Sequence, residues 1–318
     1  MCCGACAVAL AWVAFCLRSF LNWDVVRLHC LGTAGFHPND RRHTSCYFLP
    51  ESGVLLDAGS GAFRLAPLIE TDEIDLLLSH AHLDHICGLT FLLDVFFQRP
   101  IQKLRIWGEK AKLDAIRKHL FSDLIFPVPL ESQLDTQWIA IDDRDSFEAG
   151  GASVSWRPQE HPGGSVAYRL DWMAGQQSGQ KQTSGQVGKE PCKSLVYITD
   201  TIGDVSDEGI DWAKDADLMT HECYFDDSMQ KWAEKTGHSW TSRVTEVAIR
   251  AKPKKLLLTH INPLLGEPVF GASQKGAAFP HEGERDALPA DFEAECQLIR
   301  EKVAGEVVLA ADEMEVDF

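Results

Sequence analysis

An α/β fold is predicted for this 318-residue chain on three observations: short apolar runs with strand character recur along it, amphipathic helical stretches alternate with them, and 45% of the residues are hydrophobic, enough for a well-buried core. In chain order the strand signals fall at 25–31, 54–56, 74–78, 104–107, 154–156, 166–170, 195–199 and 256–259. The first, VVRLHCL, alternates apolar and polar residues, whereas IDLLL reads as a buried strand. Helices are indicated at 109–120, 239–251 and 289–303; Ser239 or Thr241 is placed to cap the second, with Glu246 in its early turns. Residues 174–193, rich in Gly, Gln and Ser, and residues 271–289, mixing Gly, Ala, Pro and charge, read as loops.

The folded domain is expected to span 25–318, behind a distinct segment at 1–24. Residues 2–17, CCGACAVALAWVAFCL, resemble a signal h-region or a short anchor, although no Lys or Arg precedes them. A start assigned too far upstream explains the run equally well, and a packed N-terminal helix is a third reading. The location is accordingly cytoplasmic, or membrane-anchored or exported if the segment is a genuine signal. A chain begun at Asn22 is expected to fold and keep its activity, checked by solubility and metal content; an insoluble or metal-free product would place residues 2–21 in the core.

Composition narrows the rest. Four of the ten cysteines (Cys2, Cys3, Cys6, Cys16) crowd the first sixteen residues and the others lack paired spacing, so no disulfide framework is indicated. Cys2, Cys3 and Cys6 have no second ligand pair at zinc-site spacing. A net charge of -17 and a pI near 5.1 repel polyanions such as RNA at long range, although a basic groove or bound cations would override this locally.

The strongest chemical signal is Ser79-His80-Ala81-His82-Leu83-Asp84-His85, directly after the IDLLL strand. On an extended segment residues two apart point the same way, so His80 and His82 can grip one ion. Asp84 and His85 then lie at a turn, free to reach a second ion beside it. Imidazole and carboxylate at this density suit Zn²⁺, with Mn²⁺ or Fe²⁺ compatible. A chance cluster in a polar loop is the alternative. With 12 histidines in the chain, three within six residues after a core strand are poorly explained by chance.

This HxHxDH pattern after a buried strand resembles the metallo-β-lactamase superfamily, which implies a four-layer αββα sandwich and a hydrolase. The resemblance implies further ligands: a histidine, then an aspartate after a strand, then a histidine after another strand. The chain offers His161 in EHP before VAYRL, Asp200 in LVYITDT and His260 in LLLTHIN. Alone, His161 reads as a turn histidine beside Pro162 and Asp200 as a helix N-cap. By resemblance, His80, His82 and His161 hold one of two divalent ions, Asp84, His85 and His260 the other, and Asp200 bridges them.

Within the superfamily the sequence is similar, from 28 onward, to the ribonuclease Z branch of phosphodiesterases. LGTAGFHPNDRRHTSCYFL, DAGSG, EHPGGSVAYRL, the His221-Glu222 pair, Gly237-His238-Ser239 and the closing AADEMEVDF carry that likeness. It implies that His238 faces the scissile phosphate, stabilising the transition state or protonating the leaving oxygen, while Asp84 accepts the proton of the attacking water. A bland histidine ahead of a helix is the alternative for His238. His221 and Glu222 are expected to orient neighbours. One departure is in length. Ribonuclease Z proper carries a long tRNA-gripping arm where this chain has only 171–194. The expected substrate is therefore a small or cyclic phosphodiester, or an RNA 3′ end, with ribonuclease Z itself or a lactone or thioester hydrolase as alternatives. A homodimer is compatible, and no membrane partner is expected unless the N-terminal segment is native.

Overall fold

The short apolar runs of the sequence pair into two seven-stranded sheets stacked face to face, in a computed structural model that describes residues 25–173, 191–264 and 290–318. The first sheet contains β1 (Arg27–Gly32), β2 (Cys46–Leu49), β3 (Val54–Leu56), β4 (Glu73–Leu77), β5 (Lys103–Gly108), β6 (Asp135–Ala140) and β14 (Glu315–Asp317). Its order is β14-β1-β2-β3-β4-β5-β6. The second contains β7 (Ser146–Ala149), β8 (Ala152–Gln159), β9 (Ser165–Trp172), β10 (Lys193–Ile198), β11 (Leu218–Glu222), β12 (Lys255–Thr259) and β13 (Glu306–Leu309). Its order is β13-β12-β11-β10-β9-β8-β7. Each sheet is antiparallel through one half and parallel through the other, with β3 to β6 and β10 to β13 the parallel runs.

Period-two alternation sorts each strand's side chains between layers. On β10, Leu195 and Tyr197 point between the sheets while Val196 and Ile198 point outward; on β12, Leu257 faces inward and Leu256 and Leu258 outward. The inward set meets Leu28, Tyr47, Leu56 and Leu77 of the first sheet. Helices cover both outer faces. Over the first sheet lie α1 (Leu83–Ile86), α2 (Leu92–Gln98) and α3 (Lys110–Ala115), burying Ile86, Leu92, Val95 and Leu113 against Ile74, Leu76 and Ile106. Over the second lie α4 (Asp207–Ala213), α6 (Thr241–Ala251) and α7 (Ala290–Lys302), with α5 (Gln230–Thr236) near the rim. This is the αββα sandwich expected. Each Leu or Ile fully removed from water in these layers contributes about 1.5–3 kcal/mol.

The predicted strands all form, within a residue or three of their expected ends. The helix expected at 109–120 forms as α3 and continues to Leu120 as a π-turn. The capping of α6 differs from expectation. Its N-cap is Trp240, with no side-chain cap; Ser239 Oγ instead donates to the Thr201 carbonyl (2.7 Å), and Asp227 accepts the Ser242 N–H (2.8 Å). Ser239 is spent tying the helix entry to the loop after β10. Residues 1–24, the loop at 271–289 and all but the last three residues of 174–193 lie outside the described residues. Among the described residues no helix is long and apolar enough to cross a membrane.

Candidate metal centre

Parallel strands carry their C-terminal ends to one rim of the sandwich, and the chemical residues lie there. The segment after β4 stays extended through His82, the N-cap of α1, and then turns, which puts Asp84 and His85 in the first helical turn. His80 and His82 stand with ring centroids 4.4 Å apart. His161 sits in the turn between β8 and β9, where its Nδ1 donates to the Gly237 carbonyl (2.8 Å), leaving Nε2 as the free lone pair. Asp200 follows β10 at a φ of +39°, and His260 follows β12 at +50°. Both adopt a left-handed backbone that a strand end allows only where the surroundings enforce it.

All seven residues picked from the sequence converge. One ligand atom from each of His80, His82, His161 and Asp200 lies within 4.8 Å of the others, and the same holds for Asp84, His85, Asp200 and His260. Asp200 belongs to both sets through different oxygens. Its Oδ2 is 3.6 Å from His80 Nε2 and 3.5 Å from His161 Nε2; its Oδ1 is 3.1 Å from His85 Nε2 and 3.0 Å from His260 Nε2. Asp84 Oδ2 completes the second set at 3.4 Å from both His85 and His260.

The arrangement fits divalent cations. His85 Nε2 and His260 Nε2 approach to 3.3 Å, and His161 Nε2 and His82 Nδ1 to 3.2 Å. Ring nitrogens this close share either a proton or a cation, and the second choice leaves every one of them a ligand. His80 Nε2 is buried with no hydrogen-bond partner, an expensive arrangement that a metal bond would relieve. Three nitrogens with one carboxylate, and two nitrogens with two carboxylates, are donor sets that suit Zn²⁺ and its first-row neighbours.

Two buried carboxylates orient the histidines. Asp57, after β3, accepts hydrogen bonds from Ser79 N, Ser79 Oγ and Tyr197 Oη and from His85 Nδ1, each at 2.7 Å. The bond to Nδ1 turns His85 Nε2 toward the cluster. Glu222, at the end of β11, receives the Thr201 N–H on one oxygen and His238 Nδ1 on the other (3.1 Å). The His238 ring stacks on Tyr224 at 4.6 Å and stands 5.1 Å from His161 and 5.5 Å from His260. It therefore borders both ligand sets. The His-Glu pair divides its work: His221 donates to the Glu222 carbonyl (2.7 Å) and lines a small cavity with Arg157, Asp204 and Trp212. Gly35 is required by closeness, because a Cβ there would come within 2.2 Å of the His260 ring.

The electrostatics follow from burial and charge. Burial opposes ionisation of Asp200, yet His260, His85 and His80 outweigh it and hold its carboxyl well below the usual range. Burial likewise disfavours the His85 and His260 imidazoliums, but Asp200 and Asp84 prevail, raising His85 well above the usual range and pushing His260 up to about 10. On the other side, burial lowers His80, His82 and His161, with neighbouring histidines reinforcing the effect at His80 and His82. His238 is raised: burial works against its charge, but Glu222 and then Asp200 exceed it.

Asp57 has no counterpart among the ligands expected from the sequence; its one sign there is an aspartate directly after the apolar run VLL, opening DAGSG. Asp57→Ala leaves buried donors from Ser79, Tyr197 and His85 without an acceptor. It is expected to lower unfolding free energy by about 3–5 kcal/mol and metal affinity by roughly 10–100-fold. Urea unfolding and metal titration measure both, and a stability change below about 1 kcal/mol would show that the donors find another acceptor.

Comparison with known proteins agrees with the geometry. A family model described as a beta-lactamase superfamily domain matches residues 53–261. A ribonuclease Z from Gemmatimonas aurantiaca is 27% identical over 269 residues, covering 73% of this chain and 84% of the relative. Among solved structures, the metallo-beta-lactamase fold protein YhfI from Bacillus subtilis matches with a TM-score of 0.64 at 20% identity, over 92% of this chain and 100% of its own. The short form of human tRNase Z matches with a TM-score of 0.57 at 20% identity, over 91% and 98%.

Proposed function

This chain belongs to the beta-lactamase superfamily and to its ribonuclease Z-like branch of hydrolases, and from that premise we propose that it hydrolyses small or cyclic phosphodiesters at a centre of two divalent cations. The observation that carries the reading is Asp200, whose two oxygens face two separate histidine sets beside the single ring of His238. His80, His82 and His161 would hold one ion and Asp84, His85 and His260 the other, with Asp200 common to both. Zinc is proposed from the nitrogen-rich donors, with manganese or iron compatible. Residues 25–318 are proposed to form the one hydrolase domain.

When bound, such cations supply Lewis acidity that polarises a phosphoryl oxygen and acidifies water. The chain supplies the rest. Asp84, whose carboxylate lies 3.4 Å from both His85 and His260 at the edge of the second donor set, would accept the proton of the attacking water. His238, anchored through Nδ1 on Glu222, keeps its second proton to higher pH than a free histidine and offers Nε2–H to the departing oxygen.

The short connection between β9 and β10 bears on substrate size. A tRNA needs counter-charge for many phosphates, and the stretch 174–193 offers only Lys181, Lys189 and Lys193, opposed by Glu190, on a chain of net charge -17. The expected result is measurable hydrolysis of aryl or cyclic phosphodiesters, with precursor-tRNA cleavage weak and suppressed by moderate salt. The names of the relatives favour a second reading, ribonuclease Z itself. Efficient removal of tRNA 3′ trailers at physiological salt, with little action on small diesters, would establish it instead.

A further inference from the structure

Phe36 and Leu83 are large apolar side chains left 72% and 69% exposed at the mouth of the ligand cluster. Neither joins a buried hydrophobic cluster, so core packing does not account for them. Phe36 holds a φ of +61°, a left-handed conformation that bulky residues rarely adopt. Its backbone N–H donates to Asp84 Oδ2 (2.7 Å), the preceding Gly35 N–H donates to the Ile261 carbonyl (3.0 Å), and the His37 ring stands edge-on to Phe36 at 5.4 Å. The turn's backbone is thus pinned at two points, which holds the root of the Phe36 side chain beside the cluster.

Leu83 lies between His82 and Asp84 in sequence and lines the same cavity of about 450 Å³ as Phe36 and Pro162, together with Asp84, Asp200 and His238. A cavity of this volume holds a nucleotide-sized molecule. Its polar floor accounts for a phosphate, but a phosphate offers an apolar rim nothing to touch. The rim therefore needs a substituent of the phosphate. We propose that Phe36 and Leu83 bind a planar aromatic substituent of the substrate, an aryl group or a nucleobase, and so select aromatic phosphate esters over alkyl ones. This rests on the phosphodiesterase reading and names the substrate class of the same site.

Direct binding separates the two ideas, because it does not depend on turnover. Phenyl phosphate, uridine 5′-monophosphate and methyl phosphate are titrated calorimetrically into the metal-loaded protein. At least one aromatic ester is expected to bind about tenfold more tightly than methyl phosphate, the scale of one stacking contact. The advantage should fall to within about twofold in Phe36→Ala, which keeps the backbone N–H to Asp84, and persist in Phe36→Trp. Leu83→Ala should reduce it in part. Tighter binding of the uridine compound assigns a nucleotide substituent, and tighter binding of phenyl phosphate a simple aryl one. Equal affinity for all three, or an undiminished advantage in Phe36→Ala, overturns the clamp while leaving the phosphodiesterase reading intact; if no ester binds, both fall.

Discussion

Asp200→Ala is expected to reduce bound metal from about two ions per chain to one or fewer and to depress hydrolysis by roughly 10³-fold or more. The side chain is buried among five imidazoles, and its two oxygens serve both groups of them, so no neighbour can replace it. Removing its charge also leaves His85 and His260 facing each other at 3.3 Å with less compensation. Elemental analysis of purified protein, with circular dichroism to show that the fold survives, gives the readout. Asp200→Asn is the sharper variant, since asparagine tolerates the left-handed backbone at φ +39° and alters only the charge. Two ions per chain and wild-type turnover in either variant would remove the shared carboxylate from the centre.

His238→Ala is expected to behave in the opposite way, leaving metal content intact while lowering turnover by roughly 10²-fold or more. Its ring touches both ligand sets without belonging to the seven-residue cluster, and its Nδ1 is committed to Glu222. The pH profile distinguishes an acid from a structural prop. An acid works only while protonated, so activity should decline as pH rises through the His238 pKa, which the Glu222 charge holds above the ordinary histidine value. Glu222→Gln removes that charge and should move the decline to lower pH. Equal metal loss in the His238 and Asp200 variants, or an unshifted profile in Glu222→Gln, would make His238 structural.

Much of this site was legible because its ligands sit where strands end. IDLLL, LVYI and LLLT are strong strand signals, and the His and Asp residues that follow them are conspicuous against apolar runs. What stayed illegible was held by contacts across the sandwich. Strand β11 reads LMTHE, too polar for a core strand by composition, yet it is buried because β10 and β12 pair on either side of it. The role of Asp57 depends on Tyr197, 140 residues away, and the capping of α6 on Thr201 and Asp227. Period and propensity carry no information about such partners.

The pairing of β1 with β14, in which Arg27 faces Asp317 and Leu28 faces Val316, sets a timetable for folding. The strand that opens the first sheet finds its outer neighbour only after nearly 290 intervening residues have been made, so during synthesis its edge waits unpaired. Asp312 adds to the delay: it accepts from Thr33, His43 and Arg64, three residues laid down early and secured late. Contacts of such long sequence separation are slow to form and leave strand edges open to other chains in the interval. Nascent chains should thus be most vulnerable to aggregation just before Asp312 and β14 emerge, whatever the stability of the finished enzyme.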